Sequence, residues 1–218
     1  MPVMLSIVPK LIATLILLNI IGCQSAYYSA MEKVGIHKRD IMVDRVEEAK
    51  EAQEGAQQQF TSALEQLSAL ISFDGGDLGE QYDIIKDQYD ASKSAADEVT
   101  ARIDAIESVA DALFDEWSDE ISQYESARLK RQSQLKHKET ERRYDKLLAA
   151  MRKAESRMAP VLSALKDNTL YLKHNLNAKA IGALQGEYKT IKQDVEILID
   201  EMNKAINQSQ QFIELLNP

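Results

Sequence analysis

Cysteine is almost missing from this chain, and the one present stands at position 23. A framework of disulfides and a zinc cluster of several cysteines are both excluded. Proline is nearly as scarce. Of Pro2, Pro9, Pro160 and Pro218, only Pro160 falls well inside the chain. Eight glycines in 218 residues leave few tight turns, and the wealth of Ala, Glu, Gln, Asp and Lys suits helices rather than sheets. Aromatics amount to 6%, too few for a thick core but enough for thin helix-on-helix packing. Phosphate-cradling glycine loops and G-x-S-x-G elbows are absent, so nucleophilic and nucleotide chemistry have no footing. A formal net charge of −9 argues against generic nucleic-acid binding.

What is present is helical period. From Glu80 to Arg157 neither Gly nor Pro occurs. Through the first half of that stretch a large or apolar residue recurs in three-four alternation: Tyr82, Ile85, Tyr89, Ala96, Val99, Ile103, Ile106, Ala110, Leu113 and Trp117, with Ser92 the polar member. This spacing predicts a helix packed on another with coiled-coil geometry. A helix over about 39–72 precedes it. Its seam is Met42, Val46, Ala49, Ala56, Phe60, Ala63, Leu67 and Leu70, with Gln53 the polar exception. Between the two, Phe73 to Gly79 reads as the turn, and Asp77 as the cap of the next helix.

The seam of the long helix fades near Tyr124 and returns at Tyr144, Leu147, Leu148, Met151, Ala154 and Met158. Pro160 is expected to end that helix or open the next. The return leg carries two seams out of phase with each other. Met158, Leu162, Leu165, Leu172 and Leu176 make the first, with Thr169 between. Ile181, Leu184, Tyr188, Ile191, Val195, Leu198, Met202, Ala205, Phe212 and Leu216 make the second, with Ser209 polar. A kink or turn is expected at 174–177, with Asn177 capping the last helix. Pairing about Pro160 would set 175–177 beside 141–143, so the long helix is expected to bend or break within 125–143. The fold class is therefore all-α: an elongated antiparallel hairpin or coiled-coil-like bundle of three to four long helices, with 39–218 as one domain. A 3.5-residue seam serves equally within a chain or between chains, which leaves a homo-oligomer open.

Charge divides the chain. Residues 44–120 hold 21 acidic side chains against 5 basic, whereas 121–218 hold 12 against 17. Within 128–143 stand seven cations: Arg128, Lys130, Arg131, Lys136, Lys138, Arg142 and Arg143. On an exposed helix they could contact lipid phosphates, lipopolysaccharide, an acidic partner or, without export, nucleic acid. The competing reading is a solvated helix surface, or pairing with the acidic section of another copy.

The N-terminus points to export. Lys10 precedes an apolar run, Leu11 to Ile21, that stops at Gly22-Cys23. Eleven helical residues span about 17 Å, short of the roughly 30 Å bilayer core. A basic start, a short apolar run and a small residue at the cleavage point make a secretory signal. Ile20-Ile21-Gly22-Cys23 resembles the lipobox of bacterial lipoproteins. That resemblance implies cleavage between Gly22 and Cys23, lipid on Cys23 and, with Gln24 next, an outer-membrane destination facing the periplasm. Residues 1–22 are then the signal peptide and 23–38 a membrane-proximal linker, with Ser25 to Val34 a short helix.

Two further stretches, Lys33-Val34-Gly35-Ile36-His37-Lys38-Arg39-Asp40-Ile41 and Asn168 to Ala178, resemble an uncharacterised proteobacterial family, the domain of unknown function 2959. The family implies no activity. His37, His137 and His174 are too scattered to form a metal site, and Asp74–Asp77 lacks the ligand order of a calcium loop. No cofactor, metal or catalytic residue is expected. The expected function is that of a non-catalytic structural or interaction module of the cell envelope, anchored to lipid and engaging an envelope protein.

Overall fold

Each apolar stripe described above must be covered by another, and four helices cover one another in turn. The computed structural model describes residues 27–217 apart from 29, 74 and 76. The expected signal segment, with Gly22 and Cys23, lies outside the described residues. Four long helices follow in order: α1 (Lys38–Ile71), α2 (Leu78–Gln123), α3 (Ala127–His174) and α4 (Ala178–Leu216). The chain is all-α. α1 packs on α2 and α4, and α3 packs on α2 and α4, which closes a ring.

Every adjacent pair is antiparallel. Arg102 of α2 meets Glu48 of α1 at 2.8 Å, and Gln59 of α1 meets Gln88 at 2.9 Å. Trp117 Nε1 donates to Ser133 Oγ at 2.9 Å, joining the end of α2 to the start of α3. Lys153 meets Glu201 at 3.1 Å between α3 and α4, and Gln57 bonds Asn203 at 3.0 Å between α1 and α4. The result is an up-down-up-down four-helix bundle whose short loops join neighbours.

The predicted seams of α1 and α4 are buried as written, apart from the half-buried Tyr188. Gln53 sits fully inside with both amide atoms unpartnered, while Ser209 satisfies itself on the Ala205 carbonyl at 2.9 Å. On α2 the aliphatic members of the seam are buried, but Tyr82, Tyr89 and Trp117 are half-exposed, since bulky rings reach the rim. Val109, absent from the predicted seam, is fully buried beside Ser108, on which Tyr28 docks.

The turns follow the predicted chemistry at one end. Asp77 Oδ1 accepts from Gly79 N at 2.7 Å, and Asn177 Oδ1 accepts from Lys179 N at 3.0 Å. Gln185 Nε2 donates to the Ile71 carbonyl at 2.8 Å, so both turns share that end of the bundle.

Three expectations are corrected. The helix expected from Glu80 to Arg157 is two helices, separated at Tyr124-Glu125-Ser126. Tyr124 and Ser126 are extended, with ψ of 123° and 110°, and Ser126 Oγ accepts from Leu129 N to start α3. The break thus falls at the very start of the stretch where yielding was expected, without Gly or Pro. Pro160 neither ends nor starts a helix but lies inside α3. Its missing N–H strands the Ser156 carbonyl, yet both residues are exposed, so water meets that carbonyl while buried Met158 and Val161 hold the turn on each side. Consequently 175–177 does not lie beside 141–143 but about two thirds of the length of α3 away from them, past its C-terminal end. The α3 seam also shifts: Val161 is buried where Leu162 was expected, and Leu176, in the loop, is exposed.

Before α1, residues 27, 28 and 30–33 are helical. Gly35 at φ +85° turns the chain into α1, a conformation that glycine adopts freely. Tyr28 is buried and its hydroxyl pairs with Ser108 at 3.0 Å, which pins this segment to α2.

Candidate functional site

The basic stretch forms the first third of α3, beside the last turns of α2. The apolar seam fades there, which by itself would leave the stretch weakly paired. It has a helical partner, through other groups. Thr140 is fully buried, and His137 stacks edge-on against both Phe114 and Trp117, at 5.4 and 5.2 Å between centroids. Phe114 also meets Tyr144, which reaches Phe212 of α4. Burial pushes the Tyr144 hydroxyl well above its ordinary value, with Glu107 and Asp111 adding to the effect. His137 is thus engaged in packing, His37 stands at the start of α1, and His174 closes α3 at the far end. Among the described residues no three His, Cys, Asp or Glu side chains converge as metal ligands.

The seven cations do not act alike. Arg142 and Arg143 both hold Glu139, at 2.5 and 3.0 Å. Arg143, then Arg142, keeps that carboxylate below its usual range. Arg128 bonds Gln132 at 3.4 Å, and Lys130 donates to the Ser122 carbonyl at 3.4 Å across the break. Arg131, Lys136 and Lys138 form no ion pair among the described residues. Six of the seven are exposed and Lys130 is half-buried.

Sequence reasoning missed a cavity of about 370 Å³ at this end, lined by Arg39, Leu113, Trp117, Lys136 and Leu216 among others. Lys38 and Arg39 occupy the first turn of α1, where the helix dipole disfavours cations. Each has a compensating partner. Arg39 donates to the Leu216 carbonyl at the end of α4, where dipole and orphan carbonyls attract it. Lys38 joins Glu32 to Glu116. Burial lowers the Lys38 value, but the two carboxylates outweigh that and raise it. Burial pushes the Glu116 carboxyl up, whereas Lys38 holds Glu32 down.

Higher on the α2–α3 contact, Arg152 binds Asp104 at 2.5 Å and also Glu107 and Glu155. This arrangement can hold charge and pack helices. No match was found among curated proteins. A family model described as a protein of unknown function (DUF2959) matches residues 27–216, from the segment pinned by Tyr28 to the last residue of α4, and the chain belongs to that family.

Proposed function

We propose that this protein is a lipid-anchored, non-catalytic module of the bacterial cell envelope, held on the outer membrane through acylated Cys23 and facing the periplasm. The short apolar run ending in Ile-Ile-Gly-Cys supports the anchor. No described helix is long and apolar enough to cross a membrane.

The observation that carries the reading is where the chain meets the bundle. Tyr28 docks on Ser108, fifteen residues before the end of α2, or about 22 Å above the α2–α3 turn. Tyr28 is five residue steps beyond Cys23, which reach at most about 18 Å. An upright bundle therefore carries its α2–α3 turn some 4 Å past the anchor, into the headgroup layer. Exposed Tyr124 and Arg128 there suit phosphates and the interface. The second reading, a polyanion laid along 128–143, rests on the exposure of the same cations.

Intact-mass analysis of protein extracted from separated membranes tests the anchor. The expected species begins at Cys23, carries lipid and sediments with the outer membrane. A Cys23→Ser variant should accumulate with residues 1–22 attached. Mature protein that keeps Met1, or begins at Cys23 without lipid, would overturn the proposal.

A further inference from the structure

Two charged columns run along the same side of the bundle. On α2, Asp83, Asp90, Asp97, Asp104 and Asp111 recur every seven residues, all exposed, and Asp115 and Asp119 continue the acidic edge toward the break. On α3, Arg128, Arg131, Leu135, Lys138 and Arg142 recur in three-four alternation, also exposed, with Leu135 at 63% in the middle. Spacing of this kind lines one helix face. A solubilising surface needs neither such regularity nor a bare leucine at its centre.

The lower parts of both columns have unspent charge. Asp111, Asp115, Asp119, Arg131 and Lys138 form no ion pair among the described residues, whereas Asp90, Asp97 and Asp104 hold Lys86, Lys93 and Arg152. A lipid surface cannot serve the whole basic column. Lys138 stands twelve residues beyond Ser126, about 18 Å from the turn. Screening removes most of a surface potential within roughly 8 Å. A long polyanion along α3 would meet the aspartates of α2 beside it. A face that is acidic on one edge and basic on the other is complementary to itself.

We infer that two copies of this chain pair side by side through the α2–α3 face, the acidic edge of α2 in each lying on the basic edge of α3 in the other. The register follows from contacts within one chain. Trp117 is level with Ser133, and His137 with the Phe114 carbonyl. A twofold axis parallel to the bundle keeps those levels and sets α2 of one copy across from α3 of the other. Asp119 of one copy then faces Arg131 of the other, Asp115 faces Leu135, and Asp111 approaches Lys138 and Arg142. Such an interface is isologous, and both copies present the same end to a membrane. The pairing rests on the part of α2 beyond Ser108, where Tyr28 docks, and on the start of α3, so its test needs no lipid on Cys23.

Charge exchange tests it, read by sedimentation velocity of the full chain in mild detergent. Wild type is expected to dimerise at low salt and dissociate as salt rises. Arg131→Glu with Lys138→Glu makes both edges acidic. Asp111→Lys with Asp115→Lys makes both basic. Each variant alone should dimerise on the order of a hundredfold more weakly, since like charges face each other. Mixing the two variants should restore a heterodimer, because each then supplies the sign the other lacks. Circular dichroism melts matching wild type would show that the exposed substitutions leave the fold intact. A wild type that stays monomeric at every concentration overturns the inference, as do dimers insensitive to both reversals or a mixture that stays monomeric. Binding of the wild-type monomer to phosphatidylglycerol vesicles, lost in the Arg131→Glu, Lys138→Glu variant, would assign the basic edge to lipid and overturn it as well.

Discussion

The middle of the α2–α3 contact and its lower end are built from different materials. In the middle, Val99, Ile103 and Ile106 face Leu147, Met151 and Ala154, every one of them at most 1% exposed. Below, Phe114 and Trp117 meet His137, and Trp117 bonds the Ser133 hydroxyl, with the rings half-exposed. Aliphatic layers gain from removal from water and scarcely care about orientation. The lower end depends on ring geometry and single hydrogen bonds, which hold helices in register while leaving their outer edges charged. Tight packing sits in the middle of the contact, and the polar packing sits behind the cationic edge.

Truncation would separate the two materials most sharply. Met151, fully buried in the middle, should cost about 2–5 kcal/mol when changed to alanine, and half-buried Trp117 about half as much. Urea unfolding of Met151→Ala and Trp117→Ala gives the two values directly. Equal losses would mean that the lower end is packed as tightly as the middle.

Gln53→Met sharpens the comparison from the other side. The Gln53 amide is buried in an aliphatic stretch with neither of its polar atoms bonded, so it carries desolvation cost without return. Replacing it with a similar apolar shape should stabilise the bundle by about 1–2 kcal/mol. Thermal melts should then rise by several degrees. A fall instead would show that Gln53 has a partner that its replacement loses.

The smallest effect concerns acid. Glu201 is only 8% exposed and is held below its ordinary value of 4.5 by Lys204 and then Lys153. A carboxylate lowered on folding contributes stability that is fully present above its unfolded value and is lost as pH falls through the folded one. Below the ordinary value of 4.5, wild type should therefore lose an advantage that Glu201→Gln never had. Because both lysines are exposed, the difference should stay under about 1 kcal/mol. Melting temperatures of the two proteins, compared from neutral pH into the acid range, should converge. Parallel curves would remove Glu201 from the acid response.

Much of this architecture was legible in advance. Seams of α1 and α4, the Phe73–Gly79 turn and the Asp77 and Asn177 caps each depend on neighbours within a few residues, and local physics decides them. Of the candidate site, the cations themselves were plain. Their aspartate counterparts on α2 were also visible at seven-residue spacing, but only as surface charge. Which columns share a face depends on how α3, starting at Ala127, folds back along α2, starting at Leu78.

The sequence by itself determined that the chain is helical, which stripe of each helix is buried, and where charge accumulates, because period and composition act locally. Only the tertiary structure decided the rest. Tyr124-Glu125-Ser126 breaks a stretch free of Gly and Pro because reversing there lets α3 cover α2 with Ser133 and His137. Pro160 stays inside α3 because buried Met158 and Val161 outweigh one lost hydrogen bond on an exposed face. An apolar period states that a face must be covered. Which helix covers it is settled when all four faces compete for one another, and that competition closed the ring.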